Sequence, residues 1–177
     1  MRKYVNMADI ISDIATRAGS KGVAGEGDDI DELALIELLF FAYRDFVSEP
    51  DAVLADFGFG RAHHRVLHFV NRHPGIRVAD LLDILRITKQ SLARVLKQLI
   101  DGGFIIQRPG ELDRRQRLLF TTESGKALAL RLIELQARRI RGALTALPAD
   151  CRAAAATFLR GIVDVGERDK VAELIER

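Results

Sequence analysis

The amino-acid sequence predicts a mainly α-helical chain of the α+β class, in which a series of helices carries one short β-hairpin. Three observations lead there. Apolar residues recur at helical spacing over most of the chain beyond residue 31. Two short β-prone runs, FIIQR and RLLFT, flank a polar stretch with Pro109-Gly110. Gly and Pro punctuate the boundaries between these runs. With 48% apolar and 29% charged residues, the 177-residue chain has the composition of a globular protein and not of a disordered one.

Taken in order, residues 4–17 carry Val5, Met7, Ile10, Ile11 and Ile14 at spacings that suit a short amphipathic helix, followed by the Gly-rich linker GSKGVAGEGDD. Asp31 can start the next helix, with Leu33, Ile36, Phe40, Tyr43 and Val47 on one face. Leu35, Leu38, Leu39 and Phe41 fill the other sides, so this helix is apolar almost all round and is expected at a subunit interface. A break is expected at Glu49-Pro50. A helix over about 60–71 then ends before Pro74-Gly75, and helices over 78–86 and 88–100 follow, the second closed by Gly102-Gly103. After the hairpin, Thr122 is an N-cap for a long helix over 123–146, and Pro148 opens a last long helix over about 149–165. Three helices followed by a two-stranded hairpin make a winged helix-turn-helix.

Charge is unevenly placed although its sum is only +2. Residues 28–56 carry nine acidic side chains against Arg44 alone, whereas residues 86–117 carry eight basic against three acidic, a net of +5. By itself a basic stretch fits a solvated face as well as a nucleic-acid contact. The elements around it favour DNA. In VADLLDILRITKQSLARVLKQLIDGGFI, Leu92, Val95, Leu96 and Leu99 form one buried stripe, which leaves Lys89, Gln90, Arg94, Lys97 and Gln98 facing outward. Thr88 caps the helix and Ile87 can pack on Leu92, so the N-terminal tip, with Ser91 in its first turn, is held firmly. A recognition helix needs that tip, because its first residues reach base edges in the major groove. Arg94 can pair with guanine and Gln90 with adenine through two hydrogen bonds each. The wing tip ELDRRQR adds Arg114, Arg115 and Arg117, and an arginine at the end of a rigid ribbon can enter a minor groove. Asp113 has the wrong sign for DNA and is read as orienting the wing.

DRRQRLLFTTESGKAL resembles the wing and following helix start of the MarR family of transcription regulators. Asp113 and Arg115 match its Asp-x-Arg, and Thr122 with Gly125 match its Thr-x-x-Gly, while Thr121 stands where the family has leucine. Leu99, Gly103 and Phe104 match the end of its recognition helix, and Arg86 stands where the family often has glycine in the turn. The resemblance covers about residues 33–165. It implies a homodimer joined by the first long helix and the last two helices, with Leu35, Leu39, Phe40, Phe158 and Ile162 in the interface. It also implies a repressor released by a small-molecule effector, often aromatic or anionic. Two-fold symmetry then calls for double-stranded DNA with a pseudo-palindromic operator.

On this reading residues 1–30 are an N-terminal extension, 31–60 a dimerisation helix, 61–122 the DNA-binding domain and 123–177 the C-terminal dimerisation helices. No cofactor, metal or catalytic role is expected. His64 and His68 have an i, i+4 metal spacing but lack a third ligand nearby, so packing and capping roles are expected for the histidines. Cys151, the single cysteine, excludes an internal disulfide; at the start of the last helix it lies elsewhere than the reactive cysteine of the family's peroxide sensors, and it is not expected to be a switch. No dinucleotide fingerprint, phosphate loop or nucleophile triad is present. Without a transmembrane-length run or a secretory signal pattern, a cytoplasmic location is expected. The alternative is a winged-helix protein–protein module that does not bind DNA, against which the +5 stretch argues.

Overall fold

The computed structural model describes residues 31–111, 113–148 and 151–176, so the helix expected over 4–17 and the linker after it lie outside the described residues. The chain divides into two units, one ending at Leu39 and one comprising Phe40–Arg177. In the first, Asp31 Oδ1 accepts a hydrogen bond from the Ala34 amide at 2.7 Å and so starts helix α1 (Glu32–Ala55), as an N-cap aspartate does. Leu33, Leu35, Ile36, Leu38 and Leu39 are exposed.

In the second unit α1 does not stop at Glu49-Pro50, contrary to the sequence expectation; Pro50 lies inside the helix. A proline there forgoes one backbone hydrogen bond and costs about 3 kcal/mol. Pro50 shares a buried face with Val47 and Leu54, and burying that face offsets the loss.

Helix α2 (Arg61–Arg72) leads to the two-residue strand β1 (Ile76–Arg77), then α3 (Val78–Leu85) and α4 (Lys89–Asp101). Strands β2 (Ile105–Pro109) and β3 (Arg117–Thr121) pair antiparallel from Ile105↔Thr121 to Pro109↔Arg117. The sheet has three strands and not the two expected, because β1 joins β3 through Ile76↔Leu119 and Arg77↔Leu118. Two residues are too few to show the alternation by which a strand is read from sequence.

After α5 (Glu123–Thr145), helix α6 (Cys151–Ile162) is shorter than the span expected over 149–165. A 3₁₀ turn (Val165–Glu167) and a further helix, α7 (Arg168–Glu176), follow it. Arg168 stops α6 there: its Nε donates to the Val163 carbonyl at 3.0 Å and its Nη2 to the Gly161 carbonyl at 2.7 Å, satisfying C-terminal acceptors that would otherwise call for more helix.

The core gathers Leu54, Val66, Leu67, Leu81, Leu92, Leu99, Ile105, Leu119 and Leu132, so α1, α2, the helix pair, the sheet and α5 share one apolar centre. The joint between wing and α5 is tight. Thr122 donates from Oγ1 to the Gly103 carbonyl at 2.6 Å and accepts from the Gly125 amide at 3.0 Å, while its own amide donates to the Phe104 carbonyl at 3.1 Å. A Cβ at residue 125 would stand 1.9 Å from the Phe104 carbonyl oxygen, so only glycine lets α5 approach this closely.

Candidate nucleic-acid interface

Helix α4 presents two faces, as its sequence pattern requires. Leu92, Val95, Leu96 and Leu99 are buried, whereas Lys89, Gln90, Ser91, Arg94 and Lys97 are exposed. Gln90, Arg94 and Lys97 stand at i, i+4 and i+7 and so form one row. At the tip, Thr88 Oγ1 accepts from the Ser91 amide at 3.1 Å and donates to Ser91 Oγ at 2.9 Å. That cap satisfies one amide of the first turn and leaves the positive end of the helix facing out. Lys97 has an intramolecular partner, the Asp101 carboxylate one turn on, so its ammonium is less available to a phosphate than that of Lys89.

The turn between α3 and α4 takes the left-handed conformation at Arg86, with φ 49° and ψ 46°. Glycine has no Cβ to oppose that conformation, whereas arginine must be held in it. The Arg86 amide donates to the Leu82 carbonyl at 3.0 Å. From α2, Arg65 Nη2 donates to the Leu85 carbonyl at 3.2 Å. The turn geometry is therefore kept despite the missing glycine. The Arg86 side chain is bound to Asp164 Oδ2 at 3.2 Å and Glu167 Oε1 at 3.1 Å.

Sequence reasoning also missed what stands behind α4. His63 stacks on Phe59 with ring centroids 4.6 Å apart, and its Nδ1 accepts from the Gly60 amide at 3.1 Å, capping α2. Its Nε2 then carries the proton and donates to Gln98 Oε1 at 2.9 Å. Gln98, read as simply outward-facing, thus ties α4 to α2. His64 and His68 lie in α2 as packing residues, both below the ordinary histidine pKa chiefly because burial disfavours the imidazolium. Among the described residues no group of three or more His, Cys, Asp or Glu side chains is placed to hold a metal ion.

In the wing, Asp113 Oδ1 accepts from the Arg115 amide at 2.9 Å, and the Asp113 carbonyl accepts from the Gln116 amide at 3.0 Å. Gly110 closes the opposite side, donating to the Gln116 carbonyl at 3.1 Å; a Cβ there would stand 2.8 Å from the Asp113 carbonyl oxygen. This leaves Arg114 and Arg115 exposed at the tip, with Arg117 on β3. Arg108 lies over the Phe120 ring at 5.1 Å and braces the ribbon below it. The unit therefore offers two projecting cationic elements on a rigid support, a capped helix and a braced hairpin.

The family model described as the MarR family matches residues 57–116, from the approach to α2 through the wing tip. The HTH-type transcriptional regulator PetP of Rhodobacter capsulatus is 44% identical over 133 residues, 75% of this chain and 80% of that protein. The chain belongs to the MarR family. As a MarR-family chain it is a helix-turn-helix transcriptional regulator and not an enzyme. Solved structures agree in fold. FabT of Streptococcus pneumoniae in complex with DNA matches 75% of this chain and 94% of its own, with a TM-score of 0.65 at 15% identity. The transcriptional repressor CouR bound to a 23-mer DNA duplex matches 82% and 100%, with a TM-score of 0.59 at 25% identity. The MarR-family assignment agrees with the resemblance carried by Asp113, Arg115, Thr122 and Gly125, and the wing sits where those residues place it.

Proposed function

We propose that this MarR-family regulator is a homodimeric repressor that binds a pseudo-palindromic operator and is released by a small-molecule effector in the cytoplasm. The observation that carries the reading is the exposed, capped tip of α4 beside a braced arginine-bearing wing. In DNA contact, Gln90 and Arg94 read base edges, and Thr88, Lys89, Ser91 and Lys97 hold the backbone. Arg114 and Arg115 follow the minor groove, with Asp113 orienting them.

Dimerisation is supported by large apolar side chains that the single chain leaves in water. In the first unit these include Leu35 and Leu39; in the second, Phe40 is 68% exposed, and Phe158 and Ile162 are about half exposed. Large apolar side chains left exposed in this number point to a subunit contact. No helix among the described residues is long and apolar enough to cross a membrane.

The test is to sequence the genomic fragments retained by the purified protein. A shared inverted repeat with half-sites about one helical turn apart is expected. Fragments without a common sequence, or no retention of DNA, would overturn the reading in favour of a protein-binding winged helix.

A further inference from the structure

We infer that Arg86 is a DNA-phosphate contact held in reserve, and that the C-terminal segment competes with DNA for it. This rests on the DNA-reading role proposed above. Arg86 lies two residues before the N-cap of the recognition helix, where the backbone of a bound duplex passes. Asp164 and Glu167 put two carboxylates at 3.2 and 3.1 Å from its guanidinium, in the position that phosphate oxygens would take.

The carboxylates are presented by an ordered strap. Arg168 donates to the Val163 and Gly161 carbonyls and fixes the chain reversal after α6. At the far end Arg72 Nη2, on α2, donates to the Ile175 carbonyl at 3.1 Å. Residues 164–176 carry five acidic side chains against two basic, a net of −3, beside a surface that must approach a polyanion.

The contact is not needed to shape the turn. The Arg86 amide and Arg65 already hold the backbone there, through the Leu82 and Leu85 carbonyls. The bridge to Asp164 is solvent-accessible, with Arg86 59% and Asp164 76% exposed, and the bridge to Glu167, itself 33% exposed, is partly so. Exposed pairs of this kind are weak enough for a multiply charged duplex to displace. The strap therefore lowers affinity for DNA, and most strongly for DNA without specific contacts.

The experiment compares the full-length parent with D164N/E167Q, R86G and the triple variant, using a fluorescein-labelled duplex of mixed sequence and fluorescence anisotropy across a salt series. R86G suits the left-handed turn, so it removes the cation without disturbing the backbone; circular dichroism checks each fold. D164N/E167Q is expected to bind roughly fivefold more tightly at low salt, with a salt slope steeper by about one charge per subunit. In the R86G background the same two changes should bring a distinctly smaller gain, because only the general relief of charge repulsion is left there. Unchanged or weaker binding by D164N/E167Q overturns the inference, as does a gain of equal size in the R86G background. A parent that binds no duplex at any salt, specific or mixed, instead overturns the DNA-reading role, and the inference with it.

Discussion

The Asp113 carboxylate holds the backbone amide of Arg115 at 2.9 Å, so the residue of the wrong charge for DNA sets the posture of the one proposed to enter the groove. An arginine carried on an ordered turn loses less entropy on binding than one on a loose loop. Arg115→Ala is expected to weaken operator binding about tenfold or more without affecting fold or dimer. Asp113→Ala is expected to weaken it less, by loosening the tip. Operator titrations at moderate salt check both, and equal affinity of parent and Arg115→Ala would leave the wing a purely structural role.

Arg94 shares its exposed row with Gln90 and Lys97, one turn beyond the capped tip. Replacing it by alanine is expected to cost about 1–3 kcal/mol on the specific site and to relax preference at one base position. Binding measured on operator and on random DNA separates base reading from phosphate contact. Equal loss on both would make Arg94 a phosphate ligand.

For the proposed dimer, Leu39 and Phe40 are exposed in the single chain, so charge placed there should spare the core. Leu39→Asp with Phe40→Asp is expected to give a folded monomer, since pairing would bury two unpaired carboxylates. Light scattering reads the outcome directly. A dimer of unchanged stability would move the interface elsewhere.

Gly125→Ala should strike the joint between wing and α5. The added methyl meets the Phe104 carbonyl, and a backbone oxygen cannot swing aside as a side-chain end can. Overpacking of this sort costs about 1–3 kcal/mol, which in a domain of this size lowers Tm by several degrees, roughly 2–4 °C per kcal/mol. A thermal melt equal to the parent's would show that α5 can retreat without loss.

Stability should fall in mild acid because of His64 and His68. Burial lowers both pKa values below 6.5; His68 adds to the effect on His64, with Asp51 opposing, and Arg72 and His73 add to that on His68. The folded state then binds fewer protons than the unfolded chain, so the stabilisation is complete above 6.5 and is lost as pH falls from there through the folded-state values. Melting curves between about pH 7 and about pH 5 should show Tm dropping, with a shallower drop in His68→Gln. An identical pH slope in that variant would remove His68 from the account.

Much of the local geometry of the candidate site was legible in the sequence because its determinants are local. The 3.6-residue period put Leu92, Val95, Leu96 and Leu99 inside and Gln90 and Arg94 outside; Thr88 capped the helix that its position promised, and the polar stretch after Pro109 turned the hairpin, with Pro109 itself the last residue of β2. Only the tertiary structure decided the rest. Pro50 stays in a helix because a buried face holds it there, and Ile76–Arg77 become a strand because β3 lies beside them. His63 reaches Gln98 across 35 residues, and Arg86 reaches Asp164 across 78. A local pattern states which way a side chain points and how a helix begins, since neighbours in the chain enforce both. It carries no record of which distant carboxylate will meet a given arginine, because that pairing is set by where the packed core brings the chain back to itself.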